Sequence, residues 1–276
     1  MLDQFIYEDH LGRRFVGLEH GVYLNYNDLR DYKWSYESIN SRISRFYRAV
    51  TSKKLPLIVA GKTEAEATYA KNRLMELAES DVVAKLPGKV YVDEYYTNGF
   101  ITASTKRDYL INKQICTIDL VLTSDNPAWY REQKHIFVPG VSSDTDIIGG
   151  VDHPYDYPYD YSMSIKGRRI TCDTVTDNAF KLLIYGEAEN PTILIGGHEY
   201  SINGTVRLGE TLMIDSLTKT ITLTTASGSR VNWFDKRGRE SYIFQPIPAG
   251  QSVVGWPGTY GFDLTVIEER SEPKWT

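Results

Sequence analysis

The sequence predicts a mainly β protein of two domains, with one α-helix in the first domain. Short apolar runs alternate with turn residues along the whole chain, and only one segment has a helical periodicity with capping signals. A stretch near the middle has too few apolar side chains to form a core. The length of 276 residues fits two domains, at about 150 residues each.

Strands are indicated in the first half by apolar runs at 21–24 and 55–59. Tyr32, Trp34 and Tyr36 repeat with a period of two. A longer strand follows, in which one face carries Cys116, Ile118, Leu120 and Leu122. This alternation predicts that Cys116 lies in a core.

The single helix is predicted at about 64–80. Thr63 can accept a hydrogen bond from a free backbone amide, and Glu66 lies three residues later, as in a capping box. The pattern ends near Asp81, before a Pro-Gly turn. The face expected to pack on a sheet comprises Ala67, Ala70, Leu74, Leu77 and Ala78.

A linker is predicted at 141–153, because residues 138–151 are rich in Gly, Pro and Ser. It separates domains at 1–140 and 154–276. In the run that follows, an extended backbone would place four tyrosines on one side and prolines and aspartates on the other. The prolines restrict this run to an edge strand or an arm. The residues predicted to lie at an interdomain or intersubunit interface are Tyr155, Tyr157, Tyr159, Tyr161, Trp129 and Tyr130.

The second half reads as strands throughout, at 180–185, 192–195, 212–214, 220–223 and 262–266. Gly196 and Gly197 are typical of a tight hairpin turn before His198. Strands that recur at intervals of about 8 to 12 residues predict a β-sandwich.

Composition limits the functions that this chain can have. A net charge of −5 argues against a protein that grips nucleic acid. No apolar run is long enough to span a membrane, and the first residues do not resemble a signal peptide, so synthesis in the cytoplasm is expected. Cys116 and Cys172 are expected to be buried free thiols.

Enzymatic motifs fail on inspection. Gly61-Lys62-Thr63 follows a strand and opens a helix, but Pro56 occupies the position of the first P-loop glycine. His198-Glu199 lacks the second histidine of a zinc protease, because Ile202 stands there. The acidic pairs Asp144 with Asp146 and Asp156 with Asp160 have too few ligands for a calcium loop. We therefore expect no enzymatic activity, no cofactor and no metal.

One basic cluster comprises Arg42, Arg45, Arg48, Lys53 and Lys54. A solvated face is the favoured interpretation, and an acidic partner or a neighbouring subunit is the alternative.

The last third contains an ordered series: Gly209-Glu210, Ile214-Asp215, Asn232-Trp233-Phe234, the turn 247–250, Trp256 and the terminal segment 270–275. In the first half, the segment 125–130 closes a long strand. This series resembles the distal tail proteins of long-tailed bacteriophages and of prophages in Gram-positive bacteria.

The resemblance implies an N-terminal β-sandwich with a helix that closes into a hexameric ring, and a C-terminal galectin-like or carbohydrate-module-like β-sandwich. Such a ring is a hub in the virion tail that joins the tail tube protein to the tail-associated tip protein and often carries receptor-binding proteins. An alternative is a host-carbohydrate binder that stacks sugars on Trp233, Trp256 or the tyrosine run. A glycosidase or peptidase of the tail tip is a third hypothesis.

Overall fold

The structure is a computed structural model that describes residues 4–107, 113–140 and 166–275. The chain forms two compact units, one of residues 1–131 with 269–276 and one of residues 132–268. The predicted linker at 141–153 and the tyrosine run at 155–161 lie outside the described residues. That the last residues return to the first unit was not indicated by the sequence.

The elements of the first unit are β1 (Ile6–Glu8), β2 (Arg14–Val16), a 3-10 turn (Gly17–His20), β3 (Val22–Leu24), β4 (Ser35–Ile39), β5 (Arg42–Tyr47), β6 (Thr51–Ala60), α1 (Glu64–Ala84), β7 (Gly88–Val92), β8 (Tyr95–Arg107), β9 (Ile115–Ser124) and the start of β10 (Trp129–Phe137). Strand β8 takes part in two groups of strands. Its first half pairs with β7, which continues through β1 to β2, and its second half pairs with β9, which continues through β6 to β3. Strand β8 changes partner between Gly99 and Phe100, and its register against β9 shifts between Ile101 and Ala103.

Helix α1 closes the core of this unit. All five residues predicted for its inner face are buried, as are Cys116, Ile118, Leu120 and Leu122, so both predicted patterns are confirmed. Thr63 Oγ1 accepts from the amide of Glu66 at 3.2 Å, as predicted. The carboxylate of Glu66 accepts from the amide of Lys62 at 3.0 Å, one residue earlier than in a regular capping box.

The helix is longer than predicted and ends at Ala84, where Lys85 adopts a left-handed conformation with φ of 56°. Asp81 does not end the buried face but continues it, since this carboxylate is fully buried and has partners. The prediction near residue 80 was wrong because a polar residue on the inner face was taken as the end of the helix.

The elements of the second unit are the rest of β10, β11 (Lys166–Cys172), β12 (Ala179–Tyr185), β13 (Ala188–Glu189), β14 (Thr192–Ile195), β15 (His198–Ser201), β16 (Thr205–Val206), β17 (Thr211–Asp215), β18 (Thr220–Thr224), β19 (Arg230–Asn232), a 3-10 turn (Phe234–Lys236), β20 (Gly250–Trp256) and β21 (Gly261–Arg270), whose last two residues belong to the first unit. One sheet has the order β19-β18-β17-β12-β21-β10 and the other β11-β20-β14-β15. Buried side chains from both sheets form one core, so the predicted sandwich and its strands are confirmed.

One local prediction in this unit is also confirmed. Gly196 and Gly197 have φ of 59° and 83° and join β14 to β15, where Ile195 pairs with His198. Trp256 and Phe262 are buried and pack edge to face. The described part of the chain is thus mainly β-strand, with one α-helix, as predicted.

The described residues agree with the other limits drawn from composition. Both cysteines are free and buried. None of the helices in the described ranges has the length and apolar character needed to cross a membrane.

Candidate assembly surface

The most unusual feature of the first unit is the hairpin of β4 and β5. It is a two-stranded sheet that pairs with no other strand among the described residues. Its turn is formed by Asn40 and Ser41, both with positive φ, 51° and 62°, as a type I′ turn requires. A solvated two-stranded hairpin is at best marginally stable in water. A hairpin of this kind therefore gains stability when a partner covers it.

The two faces of the hairpin differ in character. Tyr36 pairs with Phe46, and Ser38 pairs with Ile43. Tyr36 and Ser38 are two residues apart on β4, and the register shifts between Glu37 and Ser38, so Phe46 and Ile43, three residues apart on β5, both lie opposite this one face. The three apolar side chains, hereafter the apolar hairpin face, are 62%, 58% and 53% exposed for Tyr36, Phe46 and Ile43. Such a set of exposed apolar side chains is typical of an interaction surface.

The opposite face is mixed, since it carries charged side chains together with Ile39, which is 65% exposed. Glu37 pairs with Arg45, and Ile39 pairs with Arg42. Opposite charges in register stabilise the pairing of the strands. The two arginines are exposed, as the solvated interpretation of the basic cluster predicts.

The base of the hairpin is anchored by Trp34 and Arg48, which flank its two strands. The guanidinium carbon of Arg48 lies 4.6 Å from the centroid of the Trp34 ring, a cation–π geometry. Arg48 also donates to the carboxylate of Glu269, at the end of β21. The last residues of the chain therefore help to hold the hairpin in place.

A small cavity lies at the same base. Its volume is about 150 Å³, and it is lined by residues before β4, after β5 and in the terminal segment, among them Tyr32, Trp34, Arg48, Lys53 and Ser271. Nearby, Arg30 lies over the ring of Trp275 at 4.5 Å. The terminal segment thus covers this side of the first unit.

Lys53 corrects the prediction of a solvated basic cluster. Only 8% of it is exposed, and its ammonium donates to the carbonyls of Leu29 and Asp31, the latter at 2.7 Å. Burial lowers its pKa, although Asp28 and Asp31 act in the opposite direction. It lies on the inward register of β6 with Leu55, a signal that the alternation in the sequence already contained.

Trp129 and Tyr130, predicted as interface residues, are both buried in the first unit. The Tyr130 hydroxyl accepts from Asn126 at 2.8 Å, and burial raises the pKa of Tyr130 to about 12. The Trp129 indole N–H has no partner among the described residues. Their role at an interface stays a prediction, as does that of the four tyrosines at 155–161, which lie outside the described residues.

A buried polar group in this unit was not indicated by the sequence. Asp81 accepts from the Tyr7 hydroxyl through Oδ2 and from the His10 amide through Oδ1 at 2.9 Å, and His10 Nδ1 lies 2.6 Å from the same Oδ1. Asp9, beside them, is bound by Arg13. Asp9, His10 and Asp81 lie close enough to share a metal ion, but each already has protein partners, so the group is explained as a structural network.

The rejected motifs have structural roles. A Cβ on Gly61 would lie 2.7 Å from the amide nitrogen of Ala67, so Gly61 permits close packing of strand and helix. His198 and Glu199 lie in β15, where the His198 ring contacts the Tyr242 carbonyl at 2.9 Å.

The tryptophans proposed as sugar platforms are not free. Trp256 is 6% exposed and donates to the Tyr260 carbonyl at 3.2 Å. Trp233 packs against the second core, and a Cβ on Gly204 would lie 3.0 Å from its ring. The hypothesis that a sugar stacks on Trp256 is therefore wrong, because this ring is buried.

Comparison with solved structures places this architecture in a known class. The chain has the fold of phage tail hub and baseplate proteins, over nearly its whole length. It is similar to SPP1 Dit, described as a paradigm of the hub adsorption apparatus in phages infecting Gram-positive bacteria, with a TM-score of 0.56 and 10% identity over 98% of this chain and 100% of that one. It is also similar to a chain of the phage P2 baseplate in its activated conformation with Ca, with a TM-score of 0.62 and 12% identity over 99% and 100% of the two chains.

A structure of the same baseplate with Sr matches with a TM-score of 0.61 and 12% identity. No protein-family model matches the sequence, and no curated protein matches it significantly. The expected resemblance to phage distal tail proteins is thus confirmed at the level of the fold, since the similar structures are a phage hub protein and a phage baseplate protein.

Proposed function

We propose that this protein is a structural component of a phage tail tip, a distal tail hub that assembles into a hexameric ring. The observation that carries the proposal is the apolar hairpin face, which is exposed in a single copy. Three large side chains on an otherwise unsupported hairpin leave apolar area that a neighbouring copy would remove from water. The fold shared with phage hub proteins supports the same conclusion.

A ring follows if the contact is heterologous, since a patch that meets a different surface on the next copy generates a closed cycle when the rotation closes. The hairpin projects apolar side chains, while the 150 Å³ cavity at its base offers a recess in the same unit. In this proposal, identical surfaces around the ring meet the tail tube protein on one side and the tail-associated tip protein on the other. Receptor-binding proteins are the expected additional partners.

The proposed mechanism is geometric and includes no catalytic step. The second unit, a two-sheet sandwich, corresponds in this proposal to the galectin-like or carbohydrate-module-like domain of such hubs. The mature location is the virion tail tip, after synthesis in the host cytoplasm.

Mass photometry and negative-stain microscopy of the purified full chain test the ring. We expect hexamers with a central lumen. The double variant Tyr36→Ser with Phe46→Ser should shift the mass toward monomer, because it removes most of the apolar hairpin face. Tyr26, an aromatic residue 92% exposed and outside the hairpin, provides the matched control Tyr26→Ser, which should leave the mass unchanged. A strict monomer at high concentration, with a folded hairpin, contradicts the proposal.

A further inference from the structure

The second unit contains an open cleft of about 510 Å³ between the turn after β17 and the irregular segment 233–245. We call it the aromatic–basic cleft. Its functional lining comprises Lys219, Phe234, Arg237, Arg239, Tyr242 and Phe244. The cleft lies entirely within the second unit and is separate from the hairpin.

The segment that forms the cleft is held in place by hydrogen bonds to β15 and its neighbours. The Gly238 amide donates to the Ser201 carbonyl at 2.8 Å, and the Ser241 hydroxyl donates to the Glu199 carbonyl at 2.5 Å. A Cβ on Gly238 would collide with the Ser201 hydroxyl, so glycine is required for this close approach. The cleft is therefore preorganised although it contains little regular secondary structure.

Three aromatic rings form one wall of the cleft. Phe234 and Phe244 stack with centroids 6.1 Å apart, and Tyr242 meets Phe244 edge to face at 5.9 Å. Phe244 is buried, whereas Tyr242 is 51% exposed. Tyr242 thus offers an accessible ring that is held by an edge-to-face contact with a buried one.

The lining of the cleft is also basic, in a chain that is acidic overall. In and beside the cleft, basic residues outnumber acidic ones, whereas the whole chain has a net charge of −5. The basic residues are Lys219, Lys236, Arg237 and Arg239, and the acidic ones are Asp235 and Glu240. The guanidinium of Arg237 lies 4.1 Å from the Phe234 ring centroid and donates to the Phe234 carbonyl at 2.7 Å. Lys219 and Arg239 are exposed and form no ion pair within the described ranges.

We propose that the aromatic–basic cleft binds an acidic carbohydrate, a sugar or polyol unit that carries a carboxylate or a phosphate. The C–H face of a sugar ring stacks on Tyr242, as amphipathic rings permit. Arg239 and Lys219 bind the anionic group, since arginine forms paired hydrogen bonds with carboxylate and phosphate oxygens. A concave site of this volume fits one or two sugar rings.

The local extent of the cleft favours a carbohydrate over a nucleic acid. A nucleic-acid strand is usually bound along an extended basic groove with successive stacking residues, and its phosphate density is opposed by a net negative chain. The basic residues here are confined to one cleft. This site differs from the tryptophan hypothesis, since its stacking ring, Tyr242, is exposed.

Isothermal titration calorimetry on the full chain tests the proposal with four probes. These are digalacturonate, glucose 6-phosphate, the neutral disaccharide digalactose and a thymidine pentanucleotide. We expect binding of at least one acidic sugar, with an affinity about tenfold or more above that of digalactose and a marked loss at high salt. The two acidic probes distinguish a carboxylate-bearing ligand from a phosphate-bearing one.

The variants Tyr242→Ala and Arg239→Ala should each reduce this affinity about tenfold. Arg239 is exposed, so its variant should fold normally, and thermal unfolding of both variants checks this. Arg207→Ala, an exposed arginine of the same unit outside the cleft, is the matched control and should not change binding. Any one of four results overturns the proposal. Two concern the choice of ligand, namely equal binding of neutral and acidic sugars or a preference for the pentanucleotide. The other two are an unchanged affinity in both variants and no binding of either acidic sugar at millimolar concentration. None of these results depends on ring formation, which mass photometry reads separately.

Discussion

Arg48 lies over the ring of Trp34, with its guanidinium carbon 4.6 Å from the ring centroid. Because Trp34 precedes β4 and Arg48 follows β5, this contact closes the base of the exposed hairpin. The pairing of Arg48 with Glu269 connects the same point to the terminal segment. The orientation of the hairpin therefore depends on one arginine with two partners.

Replacing this arginine should loosen the hairpin. We expect Arg48→Ala to lower the free energy of unfolding by about 1 to 2 kcal/mol, from the lost cation–π and ionic contacts. Hydrogen exchange should become faster across 35–47, and ring formation should weaken. Arg42→Ala, which removes an exposed arginine of the hairpin that pairs with Ile39 rather than with an acidic residue, should change stability by no more than about 0.5 kcal/mol. Unchanged hydrogen exchange in the Arg48 variant would contradict the anchoring role.

The helix cap provides a second prediction. Thr63→Ala removes the acceptor for the Glu66 amide and should cost about 1 kcal/mol, measured by urea denaturation. Thr63→Ser keeps the acceptor, so its free energy of unfolding should remain close to that of the parent. Thr105→Ala, at an exposed strand position, is the control for loss of a threonine without a cap. Equal stability of the two alanine variants would show that the cap contributes nothing.

The inner face of α1 and the buried face of β9 could be predicted because each depends on a local period in the sequence. The same periods contained two signals that were not used. Lys53 has the inward register of β6, and Asp81 follows Leu77 by four residues on the inner face of α1. Lys53 was taken as solvated and Asp81 as the end of the helix, yet each is buried with hydrogen-bond partners.

The hairpin and the terminal segment could not be predicted in this way. Alternation at Tyr32, Trp34 and Tyr36 indicates extended backbone, but whether another sheet covers a strand depends on distant parts of the chain. The contact of Arg48 with Glu269 joins residues far apart in sequence. The aromatic–basic cleft likewise combines the turn after β17 with an irregular segment, which has no periodicity to read.

Gly88 should be intolerant of any side chain. A Cβ there would collide with the Asp81 carboxylate and the Tyr7 hydroxyl, both inside the core. We expect Gly88→Ala to cost about 2 to 4 kcal/mol, since it disrupts a buried hydrogen-bonded group. Gly186→Ala is the control, because its Cβ meets open space and only its φ of 87° is unfavourable, at about 1 kcal/mol. If urea denaturation shows that Gly88→Ala lowers the free energy of unfolding no more than Gly186→Ala does, the network at Asp81 is not rigid.

The carboxylate of Glu8 should make the first unit sensitive to acid. Burial alone would raise its pKa, but Arg14 at 2.5 Å, Lys89 at 3.2 Å and the Tyr91 hydroxyl at 3.1 Å outweigh this and lower the pKa below its ordinary value of 4.5.

A carboxylate whose pKa is lower in the folded state stabilises the fold fully above its unfolded pKa, and this contribution is lost as the pH falls through the folded pKa. The opening free energy of β1, measured by hydrogen exchange, should therefore fall as the pH drops below about 4.5, and it should fall less in Glu8→Gln, which cannot ionise. At neutral pH the same variant should be less stable than the parent, since it loses the ionic contacts. Glu187→Gln, at an exposed position without an ion pair in the described part of the chain, should keep the pH dependence of the parent. If the profiles of the parent and of Glu8→Gln are parallel, another group causes the acid sensitivity of this unit.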